Sequence, residues 1–202
     1  MPDPIAPDPI APAAITPATP EDDGAADHLP GLELPIIPLM GTHGHPVDLS
    51  DLSGRVVVYA YPKTGRPDMP TPDGWDSIPG ARGCTPQSCS FRDSMDDLRS
   101  VGIEHVFGLS VQDTGYQQEA ATRLVLPFPL LSDHRLEFAR AVRLPTFAFE
   151  GALLLKRLTM VIEDGAIAHV FYPVHPPQES AQQVVAFLRA HDAAQEASRS
   201  GW

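Results

Sequence analysis

Two short β-prone runs constrain the fold of this chain most: Arg55 to Tyr61, which contains Val56, Val57, Val58, Tyr59 and Tyr61, and Ile103 to Val111. Neither shows clean polar alternation, so each is expected to be a buried strand of a sheet covered on both faces. Between them, Phe91, Met95, Leu98 and Val101 recur at steps of four and three residues. That spacing places them on one face of a helix over Cys84 to Val101. Strand, helix and strand in that order imply an α/β domain.

The rest of the chain extends the alternation. Leu32 to Leu39 suits an entry strand, and His45 to Leu52 a short strand and turn. Tyr116 to Leu126 is helical in pattern, with Thr114 as the expected N-cap. Leu130-Leu131 suits a short strand and Leu136 to Val142 a helix. Leu158 to Ile162 and Ala166 to Phe171 flank Asp164-Gly165, a strong hairpin signal that adds an antiparallel edge. Gln178 to Ala190, with Val184, Val185 and Leu188, closes the domain as a helix. Lys63 to Arg82 is rich in Pro, Gly and Asp, has no period and contains Trp75. Loops of that length inside a compact domain are usually functional, and Trp75 is either a lid or an anchor for this one.

The N-terminus has a different character. Eight of the 23 prolines fall in the first thirty residues, and Pro-Asp-Pro-Ile-Ala occurs twice in succession. Proline removes backbone donors and there is little apolar surface to offset ordering entropy, so residues 1–29 are expected to be a disordered tail. The domain is expected over residues 30–192, with a flexible end at 193–202. Of the net charge of −12, Met1 to Gly54 supplies nine acids and no Lys or Arg. An acidic balance argues against nucleic acid or an anionic membrane as partner. No apolar run suits a membrane span and the N-terminus does not resemble a secretory signal, so a cytoplasmic location is expected. In a reducing compartment two cysteines suggest redox or metal chemistry before a structural bridge.

Cys84 lies where the loop meets the helix, and Pro86 supports that boundary because proline is tolerated in a first helical turn. There the free N–H groups and the helix dipole favour a thiolate, and Arg82 and Arg92 are expected to add positive potential. On an intact helix Cys84 and Cys89 are about 7.5 Å apart along the axis and point in different directions. A disulfide needs Cα atoms roughly 4.4–6.8 Å apart with facing Cβ vectors, so the pair reacts only if the first turn unwinds. That behaviour suits a catalytic cycle better than a permanent brace.

The segment Gly83-Cys84-Thr85-Pro86-Gln87-Ser88-Cys89-Ser90-Phe91-Arg92-Asp93 resembles the active-site helix of the atypical two-cysteine peroxiredoxins of the peroxiredoxin Q, or bacterioferritin-comigratory-protein, group. The strand ending in Pro62-Lys63, the run Phe128-Pro129-Leu130-Leu131-Ser132-Asp133, and Arg157 to Ile162 ahead of Asp164-Gly165 match other segments of that group, in the same order. The resemblance covers about Gly31 to Ala190. It implies a thioredoxin-like fold in its peroxiredoxin variant with an N-terminal extension, and no cofactor. It also implies Cys84 as the peroxidatic nucleophile, Cys89 as the resolving thiol, and Arg157 orienting thiolate and peroxide. The substrate would be hydrogen peroxide or an organic hydroperoxide, the partner a thioredoxin-like reductant, and the assembly a monomer or homodimer.

One departure stands out. The group places proline and a Thr or Ser seven and three residues before the nucleophile, where this chain has Ser77 and Ala81. Pro62 lies 22 residues before Cys84, so the connection is about fifteen residues longer. Thr64, Thr71 and Ser77 are the candidates to replace the missing hydroxyl. Two other functions fit a reactive cysteine pair: a general thiol–disulfide oxidoreductase, which usually carries Cys-x-x-Cys, and a peroxide sensor that docks through its Pro-rich tail. Two cysteines with distant histidines make a poor zinc site. His43 and His45 sit among Gly and Pro as ordinary loop residues. No phosphate-binding glycine pattern is present.

Overall fold

Val56, Val58 and Ala60 alternate with Val57 and Tyr59, and all five are buried, so both faces of this strand must be covered. In a computed structural model, which describes residues 19–200, it is the central strand β3 (Arg55–Ala60) of a seven-stranded sheet. On one side β3 pairs in parallel with β4 (Ile103–Ser110), which pairs in parallel with β5 (Leu130–Ser132). On the other it pairs antiparallel with β8 (Leu158–Glu163), and β8 with β9 (Ala166–Phe171). The short β1 (Pro38–Gly41) and β2 (Pro46–Asp48) extend the edge beyond β5. The β8–β9 turn is the expected one: Asp164 and Gly165 both have positive φ, as a two-residue hairpin turn requires.

The period-two alternation divides the core. Val57, Tyr59 and Val161 face α1 (Cys84–Asp93), α2 (Met95–Ser100), α3 (Thr114–Arg123) and α5 (Ser180–Ser200), packing with Phe91, Leu98, Ala120 and Val184. Val56, Val58, Met160 and Ile162 face α4 (Glu137–Ala141) and the N-terminal segment, with Phe138, Leu29 and Leu34. This is the expected α/β, thioredoxin-like arrangement, with helices on both faces and the N-terminus of α1 at one end of the sheet.

Several boundaries differ from expectation for local reasons. The helix expected over Cys84 to Val101 breaks at Ser94, where φ is −105° and ψ is 14°. Asp113, not Thr114, caps α3: its carboxylate accepts from the Tyr116 amide at 2.8 Å. The entry strand is confined to β1, with Glu33 adding only an isolated bridge to Ala166. An unanticipated hairpin, β6 (Thr146–Phe149) and β7 (Ala152–Leu155), forms a separate two-stranded sheet. α5 runs on to Ser200 through Ala193, Ala194, Gln195 and Glu196, strong helix formers, so most of the expected flexible end is helical. Asp192 also anchors α5 to Arg55 at 3.0 Å.

Residues 19–29, expected within the disordered tail, pack against the domain. Ala26 and Leu29 are buried in the core, and Asp23 accepts from Lys156 Nζ at 2.5 Å and from the Tyr172 hydroxyl at 2.7 Å. Lys156, then Tyr172, lower the Asp23 carboxyl to about 2, so this clasp persists down to strongly acidic pH. Residues 1–18, with both copies of Pro-Asp-Pro-Ile-Ala, lie outside the described residues.

Candidate active site

Gly83 sets the start of α1. It is the N-cap, its φ is +101°, and it offers no side-chain cap. A Cβ at Gly83 would lie 2.3 Å from Cγ of Pro177, so positive φ and close packing both demand glycine. Gly83→Ala is expected to cost about 2 kcal/mol in stability, read from urea denaturation of the reduced protein, and to slow oxidation of Cys84. Cys84 is the first residue of α1 and Pro86 the third. Proline has no N–H, so the first-turn donors free to face an anion are the amides of Cys84 and Thr85.

Cys84 is 4% exposed. Its Sγ lies 3.6 Å from the Ala81 carbonyl, which accepts from the thiol, and Arg157 Nη2 donates to the sulfur at 3.2 Å. Arg157 directly precedes β8 and is 3% exposed, a buried cation and not an exposed strand-edge arginine. Its Nη2 also reaches the carbonyls of Gly80 at 3.2 Å, Ala81 at 3.3 Å and Arg82 at 2.9 Å, while Nη1 donates to Gln87 Oε1. No carboxylate pairs with Arg157 among the described residues. A buried cation of that kind is compensated by carbonyl dipoles and, when the thiol ionises, by the Cys84 thiolate.

Gln87 belongs to the hydrogen-bond network at Cys84 and is a residue that sequence reasoning missed. It is fully buried and links the arginine to α5: its Nε2 donates to Ser180 Oγ at 3.4 Å, and Ser180 Oγ lies 3.1 Å from Thr159 Oγ1 of β8. The available signal was its spacing, three residues after Cys84 and therefore on the same helix face. Below α1, Tyr59 stacks on Phe91 at 4.5 Å and its hydroxyl donates to Ser88 Oγ at 3.0 Å. Burial pushes the Tyr59 hydroxyl well above the usual tyrosine range, so it stays a neutral donor.

Cys89 is half-buried and, like Cys84, a free thiol. The helix between them is intact at its start, where the Gln87 amide donates to the Gly83 carbonyl at 2.9 Å. The position of Ala81 is filled by a buried methyl group, and only its backbone carbonyl meets the sulfur. Thr64 does not replace the hydroxyl: it is buried and its Oγ1 donates to Gln112 Oε1 at 3.1 Å. Thr71 lines the cavity beside Cys84, without a hydrogen bond to the sulfur, and Ser77 lies in a 3-10 turn.

Arg82 and Arg92 do not reach the sulfur. The Arg82 side chain is held by Asp76, and Arg92 binds Asp93 at 2.7 Å and the Leu124 carbonyl at 2.8 Å. Residue 92 is more than two helical turns from Cys84, too far to act on it directly. The loop from Lys63 to Arg82 folds into a wall. Trp75, 6% exposed, packs on Phe149 at 4.9 Å and on Phe147 at 6.2 Å, so β6 and β7 buttress the loop. Trp75 is thus an anchor that also lines a cavity of about 200 Å³ opening onto Cys84. His43 and His45 meet edge to face at 5.6 Å, and no group of three or more potential metal ligands occurs among the described residues.

A buried cysteine at a helix N-terminus, hydrogen-bonded to a buried arginine on a thioredoxin-like sheet, is the arrangement of a thiol-based redox protein. The comparisons with known proteins narrow the class. The Redoxin family model matches residues 18–185. Peroxiredoxin Bcp of Escherichia coli is 32% identical over 152 residues, covering 73% of this chain and 84% of that protein. The putative chloroplastic peroxiredoxin Q of Oryza sativa subsp. indica is 29% identical over 161 residues, covering 79% of this chain and 66% of that protein. The chain thus spans just under two thirds of the length of this rice relative. The peroxidoxin BcpB structure from Mycobacterium tuberculosis superposes with a TM-score of 0.65 at 26% identity, covering 80% of this chain and 97% of that one. The chain belongs to the Redoxin family and, within it, to the peroxiredoxins of the peroxiredoxin Q and Bcp group.

Proposed function

We propose that this chain is a thiol-dependent peroxidase that reduces hydrogen peroxide and organic hydroperoxides through Cys84. The observation that carries this reading is the 3.2 Å contact from Arg157 Nη2 to Cys84 Sγ at the first residue of α1. The arginine and the first-turn amides stabilise negative charge on the sulfur and offer donors to charge that develops on a peroxide oxygen. The thiolate attacks one peroxide oxygen. The S–O bond forms, the O–O bond breaks, and the departing hydroxide or alkoxide takes a proton from water. Cys84 becomes a sulfenic acid and the peroxide is reduced.

In the second half of the cycle α1 unwinds at its first turn, releasing the Gln87 amide from Gly83 and the Gln87 side chain from Arg157. Cys89 then attacks the Cys84 sulfur. The S–S bond forms, the S–O bond breaks and water leaves. A thioredoxin-like dithiol reduces the disulfide, which suits a reducing compartment such as the cytoplasm. No helix among the described residues is long and apolar enough to cross a membrane.

Stopped-flow oxidation of the reduced protein by hydrogen peroxide, followed by mass mapping, tests this cycle. A Cys84–Cys89 disulfide is the expected product. Cys89→Ser is expected to keep one round of Cys84 oxidation at a rate within about threefold of the parent, with a sulfenic acid accumulating and no intramolecular disulfide. Faster reduction of protein disulfides than of peroxide would instead favour a general oxidoreductase.

A further inference from the structure

The Arg157 guanidinium is supplied with acceptors at its two Nη atoms only. Its Nε is buried and has no hydrogen-bond partner among the described residues. Arg157 does not line the cavity that opens onto Cys84. It lines a second cavity, of about 330 Å³, whose walls include Ile78, Pro79 and Phe147. Pro20, Glu21 and Asp23 of the N-terminal segment form another wall of it. That segment therefore stands between the far side of the arginine and solvent, and Arg157 is 3% exposed. A cation attracts a thiolate strongly where water is kept away and weakly where water screens it.

The segment also meets the supports of Arg157 at two points. Pro20 packs on Gly80, where an added Cβ would lie 3.4 Å from the Cβ of Pro20. The Gly80 carbonyl is one of the acceptors of Arg157 Nη2, at 3.2 Å. Asp23 binds Lys156, the residue immediately before Arg157, at 2.5 Å, and the hydroxyl of Tyr172, the residue immediately after β9, at 2.7 Å. One carboxylate thus ties the start of β8 to the end of β9 beside the arginine. The segment is anchored behind these contacts by Ala26 and Leu29 in the core and by the Gly31 amide, which donates to the Ile167 carbonyl at 2.7 Å.

We propose that Asp23 is a positioning residue for the reaction at Cys84: by pinning residues 20–23 through Lys156 and Tyr172, it keeps Arg157 dry and its acceptor Gly80 in place. This rests on the peroxidase reading and deepens it. Asp23 acts only through Arg157, and the bonds made and broken at Cys84 are unchanged. A small displacement of a group that holds the reacting atoms is enough to slow a reaction.

The test is a double-mutant cycle on the full chain, read as the second-order rate constant for oxidation of reduced Cys84 by hydrogen peroxide. Asp23→Ala is expected to lower that constant about fivefold. In an Arg157→Leu background the same change is expected to alter it by less than about twofold, because the residue through which Asp23 acts is gone. Asp23→Glu keeps the charge and is expected to recover part of the loss. A merely structural role would lower the rate alike in both backgrounds. Lys156→Gln breaks the clasp from its other end and is expected to give the same fall of about fivefold and the same dependence on Arg157. The Lys156 and Asp23 side chains are 34% and 47% exposed, so neither replacement is expected to unfold the domain. A folded Asp23→Ala or Lys156→Gln protein oxidised at the parent rate, or a fall of equal size with and without Arg157, would overturn the proposal. If hydrogen peroxide leaves Cys84 of the parent protein unoxidised, the peroxidase reading fails. Alkylation of Cys84 by iodoacetamide in the Cys89→Ser protein then serves as the rate in the same cycle and decides the role of Asp23 separately.

Discussion

Cys84→Ser is expected to lower peroxide consumption by more than about three orders of magnitude while leaving the fold intact. Serine has nearly the volume of cysteine, and its hydroxyl can still donate to the Ala81 carbonyl and accept from Arg157 where the sulfur does. The lesion is therefore chemical: an alcohol at this position is not a thiolate and does not attack an O–O bond. Peroxide consumption followed with a coupled thioredoxin system, together with the far-ultraviolet circular dichroism of the variant, separates the two effects. A folded Cys84→Ser protein that still consumed peroxide at the parent rate would move the nucleophile elsewhere, with Cys89 the only other thiol in the chain.

Arg157→Leu is expected to slow oxidation of Cys84 by about 10²–10³-fold, the cost typical of removing a preorganised donor from a buried site. It is also expected to destabilise the reduced protein by about 1–3 kcal/mol. The two effects share a cause. One guanidinium serves the sulfur, the Gln87 side chain and the carbonyls of Gly80, Ala81 and Arg82, so its loss leaves buried acceptors without donors. Removing a buried cation also relieves a desolvation penalty, which keeps the stability loss moderate. Arg157→Lys is expected to restore stability only in part, because an ammonium cannot span the same fork of acceptors. Stopped-flow rates and urea midpoints measured on the same preparations check both halves. An Arg157→Leu protein oxidised at the parent rate would remove Arg157 from the reaction.

The parts of the fold legible in the sequence were those with strong local codes. Val56 to Ala60 is an unbroken β-prone run and Val106 to Leu109 is apolar apart from Gly108, so strand type and central position followed. The Asp164-Gly165 turn announced the β8–β9 hairpin. The elements that were missed or misplaced depend on contacts instead. Glu150-Gly151 separates the strands β6 and β7, yet their role appears only where Phe147 and Phe149 meet Trp75. The order of residues 19–29 comes from Ala26, Leu29 and the Asp23 clasp, none of which composition reveals. Arg82 and Arg92 were expected near the sulfur from sequence proximity, but nearby acids hold both.

By itself the sequence determined that Cys84 opens a helix after a long loop, that Cys89 sits five residues on along that helix, and that the surrounding strands and helices alternate as in a thioredoxin-like domain. Those are consequences of local propensity, period and spacing. Only the tertiary structure decided that Arg157, 73 residues beyond Cys84, donates to its sulfur, and that Gln87 joins the same network. It also decided that Lys63, Arg66 and Arg82 line the cavity beside Cys84 with no acidic residue among the lining. The reason is that a hydrogen bond between residues distant in the chain depends on how the sheet brings two loop ends together. Composition counts charges, but only the packed chain decides which of them face one another.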